Sequence, residues 1–159
     1  MKKVNTKDVV PEVYYSPKRK FGTIDQNLSI ALGRDPASTD LMKRQPFDVA
    51  ICRVPAGLSV CPFHSHAVSW EFYHVISGTG VSRDKDGPTP VGPGDAFVFA
   101  PNEPHQLTAD AGEDLVVYVV ADNPLGDSCY YPDSKKWSVH IPKRQLVRSE
   151  PLDYFDGEE

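Results

Sequence analysis

A chain of 159 residues fits one domain and leaves little room for a second. Its 15 Pro and 11 Gly exclude a long-helix bundle, because both residues break helices and mark turns. The net charge of −5 gives no basic face to neutralise phosphates, so a nucleic-acid partner is not expected.

Residues 1 to 45 read as an arm of weak periodicity. Six basic residues lie in its first twenty positions, interrupted by Asp8, Pro11 and Glu12, which makes a solvated segment and not a polyanion-binding patch. No charged-then-apolar signal segment opens the chain. A strand is possible around Leu28 to Leu32, followed by the turn Gly33-Arg34-Asp35-Pro36.

From residue 46 the strand signals become dense. Phe47 to Val54 alternates and ends at Pro55-Ala56-Gly57. Glu71 to Ile76 is aromatic and β-branched, and Ser77-Gly78-Thr79-Gly80 closes it. Asp84-Lys85-Asp86-Gly87 predicts a hairpin, and Val91 to Asp95 predicts a tight turn into the strand Ala96 to Ala100. A short strand follows around His105 to Thr108. Leu115 to Ala121 is a continuous apolar run, suited to burial on both faces and too short to span a bilayer. About seven short strands between residues 47 and 121 give the rhythm of an all-β sandwich or barrel. The organisation is therefore an arm (1–45), a barrel (46–122) and a C-terminal extension (123–159) in which the rhythm is lost. The last ten residues hold five acids and no base, with apolar side chains able to dock on a barrel face or to fray.

Three cysteines, Cys52, Cys61 and Cys129, without CxxC spacing argue against a disulfide framework and a thiolate zinc site. These features together predict a soluble, cytoplasmic protein with no membrane partner. The informative segment is His64-Ser65-His66-Ala67-Val68-Ser69-Trp70-Glu71. On a strand, residues i and i+2 share a face, so His64 and His66 can aim at one point. Glu71, opening the next strand, can present a carboxylate to it. His105 joins only if the fold brings two hairpins together. Three imidazoles and a carboxylate suit a first-row divalent ion better than calcium.

This pattern resembles the cupin superfamily. Its first motif, G-x5-H-x-H-x3,4-E-x6-G, is met by His64, His66, Glu71 and Gly78, with Gly57 one place early. Its second, G-x5-P-x-G-x2-H, is met by Gly94 and His105, with Ala100 at the proline place and Asn102 at the second glycine place. Asn tolerates the left-handed backbone that such a turn needs. The resemblance implies a double-stranded β-helix, or jelly-roll, barrel that holds one divalent ion (Zn, Fe, Mn or Ni) through His64, His66, Glu71 and His105. A closer likeness, carried by Cys-Tyr-Tyr-Pro-Asp-Ser at 129–134, extends to small bacterial cupins some of which carry a sugar-phosphate-isomerase label. It implies a small-molecule substrate and a homodimer paired through barrel faces and terminal arms. A metal-dependent isomerase, a dioxygenase and a non-catalytic binder remain open. Tyr73 shares the face of Glu71, where it either lines the pocket or, the favoured reading, serves as core. His74, Trp70 and Phe72 should face away from the site, and Cys61 reads as a small buried residue. Asp95 should be structural. Arg53 and Glu103 are the weak candidates for an anion contact and a base, with the arm and the extension as other sources; Arg83 reads as surface charge.

Overall fold

The computed structural model describes residues 1–38, 40, 42–140 and 143–159. A 3-10 turn (Thr6–Asp8) precedes β1 (Glu12–Tyr15), β2 (Gly22–Asn27) and a single helical turn, α1 (Leu28–Ala31). Then come β3 (Phe47–Val54), β4 (Ser65–His66), β5 (Glu71–Ser77), β6 (Gly80–Arg83), β7 (Pro88–Val91), β8 (Ala96–Phe99), β9 (Gln106–Ala109) and β10 (Leu115–Asp122). The chain ends through β11 (Cys129–Tyr131), β12 (Lys136–His140) and β13 (Arg144–Val147).

All named pairings are antiparallel, as tight turns between successive strands require. One sheet runs β1-β2-β3-β10-β5-β8, a second β7-β6-β9 and a third β13-β12-β11-β4. The bridges Ser59↔Thr108 and His64↔His105 stitch the segment before β4 onto β9 and its approach, so the two smaller sheets form one wall facing the large one. Between the walls lies the core: Cys52, Val54, Tyr73, Val75, Leu115 and Val117 from the large sheet meet Val91, Leu107 and Ala109 from the other. These inward residues sit two apart along each strand, which is the period-2 pattern of a sheet with one buried face. The result is the expected all-β jelly-roll barrel.

Several local expectations hold. Asp84 closes the hairpin by accepting from the amides of Asp86 (2.7 Å) and Gly87 (3.1 Å). Asp95 accepts from Gly92 N at 2.8 Å, a structural role. Asn102 takes φ +67°, the left-handed conformation expected of it.

Others are corrected. Leu28 to Leu32 is not a strand: the Asn27 side chain accepts from Ile30 N at 2.9 Å and caps α1. The extension does not lose strand structure, since β11 pairs with β4 and β12 while β13 pairs with β12. Nor is β10 buried on both faces. Leu115 and Val117 are fully buried, but Val116, Tyr118 and Val120 are only half-buried on the outer face. The last ten residues lie exposed, with Leu152, Tyr154 and Phe155 open to solvent.

Candidate metal centre

The His-x-His segment is held from both sides by backbone. His64 and His105 exchange amide hydrogen bonds (3.1 and 2.7 Å), and Asn102 N donates to His66 O at 2.7 Å. On the other side, β11 pairs Cys129 with His66. The loop that carries His105 and the strand that carries His66 are thus fixed against each other, the condition under which His105 was expected to join.

The structure brings all four expected residues together. His64, His66 and Glu71 present ligand atoms within 4.8 Å of one another. His64 Nε2 lies 3.2 Å from His66 Nε2, and His66 Nε2 lies 3.4 Å from Glu71 Oε1. His105 meets the set through Glu71, its Nε2 standing 2.8 Å from Glu71 Oε2. Each histidine is anchored through its other nitrogen: His64 Nδ1 on Pro62 O (3.1 Å), His105 Nδ1 on Glu103 O (3.0 Å) and His66 Nδ1 on Asp127 Oδ2 (2.5 Å). Carbonyl and carboxylate oxygens only accept, so each Nδ1 carries a proton and each Nε2 faces the cluster, where that of His105 donates to Glu71 Oε2 and those of His64 and His66 face each other. Two lone pairs 3.2 Å apart repel unless a positive charge lies between them. A proton or a metal ion meets that need, and the donor set with its anchored outer nitrogens fits a divalent ion.

The electrostatics agree. Burial pushes the His64 imidazole down to about 4, helped by the nearby His105. Burial opposes charge on His66 as well, but its contacts with Cys129, Glu71 and Asp127 outweigh this and hold it up at about 10. Burial alone would raise Glu71; the hydrogen bond from His105 and the charge on His66 reverse that and hold its carboxyl down at about 2. The cluster is one of carboxylates gathered around a single shared positive charge.

Around it, Tyr73 is core, as expected, and its hydroxyl also donates to Glu71 Oε2 at 2.9 Å, which fixes the carboxylate. Phe99 stacks on the His105 ring at 4.1 Å on the core side of the cluster. His74, Trp70 and Phe72 point outward and are exposed. Cys61, half-buried, sits 3.4 Å from His64 Nδ1, and burial pushes its thiol up to about 12, which suits an inert residue. Arg53 lies exposed beside Asp114 at 3.6 Å. Arg83 pairs with Asp133 at the surface (2.9 and 3.0 Å) and covers the Phe63 ring. Glu103 turns back to accept from Ala100 N at 2.8 Å and lines a separate cavity with Asp84, Lys85 and Asp86.

Sequence reasoning missed Asp127. It lies 61 residues from His66, and no spacing rule links the two. It lines a cavity of about 680 Å³ together with His66, Cys129, Arg44 and Arg144, on the side where the cluster is open.

A small jelly-roll barrel with a histidine–carboxylate cluster at one end is what the fold and the site define. The family model described as "Cupin domain" matches residues 50–121, so that stretch of the chain carries a cupin domain. Two similar solved structures span nearly the whole chain. One is a protein of Acidithiobacillus ferrooxidans named for a suspected sugar phosphate isomerase activity (20% identity, 92% of each chain, TM-score 0.78). The other is a sugar phosphate isomerase from a cupin superfamily, of Silicibacter pomeroyi (22% identity, 96% of this chain and 97% of that one, TM-score 0.76). The polyketide cyclase RemF of Streptomyces resistomycificus has the same fold (24% identity, 97% and 88% coverage, TM-score 0.60). No curated protein matched the sequence. No helix among the described residues is long and apolar enough to cross a membrane.

Proposed function

We propose that this cupin holds one divalent metal ion through His64, His66, Glu71 and His105 and is an enzyme acting on a small oxygenated molecule, in the manner of a sugar or sugar-phosphate isomerase. The observation that carries the reading is the facing pair of Nε2 atoms, 3.2 Å apart, on imidazoles whose outer nitrogens are already committed. An ion bound there supplies Lewis acidity that polarises a substrate carbonyl.

The chain's own residues do the rest. Asp127 and the Pro62 and Glu103 carbonyls hold the imidazoles in register. Tyr73 holds Glu71, and Phe99 stacks on His105 from the core side. The cavity of about 680 Å³ beside His66 is of the size that small-molecule sites take, and it favours catalysis over a sealed structural ion. The chain acts as a homodimer, paired through the outer face of the large sheet.

Metal content of untagged protein, measured by mass spectrometry beside His105→Ala, tests the reading. About one equivalent per chain, lost in the variant while its circular dichroism is kept, is expected. Zinc or manganese would support the isomerase chemistry; iron or nickel would turn the reading towards a dioxygenase. Protein without metal, unchanged by the substitution, overturns it and leaves a barrel that binds its ligand by shape.

A further inference from the structure

We infer that the substrate is an anion, and that Arg44 and Arg144 hold its oxyanion in the cavity beside His66. The inference rests on the proposed site and adds the class of molecule that it takes.

Two guanidinium groups from opposite ends of the chain line one cavity with His66 and Asp127. Arg44 comes from the arm and Arg144 opens β13. A cavity wall that concentrates cationic forks is the usual means of recognising phosphate or carboxylate oxygens. Arg144 is positioned by its Nε, which donates to Ser138 Oγ at 2.9 Å. Arg44 Nη2 donates to Pro124 O at 3.0 Å. Its Nε is buried and has no partner among the described residues. A buried guanidinium N–H without an acceptor costs free energy, and an incoming oxyanion would satisfy it.

The acids nearby do not answer the arginines. Asp127 is spent on His66 Nδ1 and Val68 N (3.1 Å). Asp122 accepts from Ser69 Oγ (2.7 Å) and Trp70 N (2.8 Å). Asp48 pairs with Arg34 at 2.6 Å; its Oδ1 is also buried without a partner among the described residues, and the residue lines a small neighbouring cavity with Arg44. Arg44 and Arg144 are the lining residues whose charge is always present, and their forks are not closed by any carboxylate given for them. An anion seated on them places the rest of a small molecule against the open side of the His66–Glu71 cluster.

The test is calorimetric titration of the metal-loaded protein with inorganic phosphate, and in a second arm with acetate. Arg44→Gln, Arg144→Gln and Arg144→Lys are compared by thermal melting and metal content. Phosphate or acetate is expected to bind the parent, and each Gln variant to bind at least about tenfold more weakly from loss of a charge-assisted contact. Metal content should stay the same. Tighter phosphate assigns a phosphate ester, and tighter acetate a carboxylate. Binding undiminished in all three variants, or no binding to the parent, overturns the inference. Binding that vanishes in metal-free His105→Ala yet ignores the arginines also overturns it, since the ion alone would then hold the anion and the metal reading would stand.

Discussion

At the scale of single residues, the decisive contact of the site is the 2.5 Å hydrogen bond between His66 Nδ1 and Asp127 Oδ2. It does for His66 what backbone carbonyls do for His64 and His105, but with a full negative charge. A carboxylate behind an imidazole makes Nε2 a better donor to a cation and fixes the plane of the ring. Asn at position 127 keeps an acceptor of the same shape and removes the charge. Asp127→Asn should therefore weaken metal affinity by about 10–100-fold while leaving the fold in place. Competition against a chelating dye measures this, with circular dichroism as the folding control. Affinity equal to the parent's would mean that His66 Nε2 is not a ligand.

At the scale of elements, the turn after β5 shows how one residue sets a register. Gly78 has φ +78°, and a Cβ there would stand 2.1 Å from the Asp114 carbonyl oxygen, on backbone that cannot step aside. Gly57 has the similar φ of +74°, but its nearest atom would be 3.9 Å away. Gly57→Ala meets only left-handed strain, about 1–2 kcal/mol. Gly78→Ala adds a steric clash and should cost about 3 kcal/mol or more. Urea unfolding of the two variants separates strain from clash; equal losses would show that the β5–β6 turn relaxes freely.

The same turn glycine lies in the motif that made the barrel legible. Where strands follow one another through tight turns, as from β5 to β8, alternation and Gly or Asp signals mark each element. The His-x-His spacing and Glu71 point at one site for the same local reason. Elements whose reasons are not local were unreadable. The five-residue segment at 28–32 is apolar enough for a strand, and a single Asn27 cap makes it helical instead. β11 is ordered by pairing with β4, more than sixty residues earlier, and leaves no periodicity over so few residues. Asp127, Arg44 and Arg144 come to the cavity from distant parts of the chain. The histidine–glutamate cluster could be read from spacing, whereas the groups that orient it and line its mouth could not.

At the scale of the whole molecule, the large sheet has two faces of unequal fate. Its inner rows are buried; its outer face carries an apolar row that is half-buried on β3 and β10 and open on β5 and β8. The register sets Val49, Val120, Phe72 and Val98 in one line across β3, β10, β5 and β8. Phe72 is 39% and Val98 51% exposed, with Ile76 and Trp70 nearby on the same strand and at its start. Contiguous apolar rows of this kind on a sheet face mark an interaction site. A second copy of the chain presents the same rows, and a two-fold axis lets each cover the other. Light scattering coupled to gel filtration should therefore give twice the 17.6 kDa chain mass. Phe72→Glu with Val98→Glu places four like charges in that interface and should return the chain mass. Both side chains are open to solvent in the isolated chain, so a folding cost of no more than about 1 kcal/mol is expected. A parent that runs as a monomer, or a double variant that stays dimeric, would move the interface away from this face.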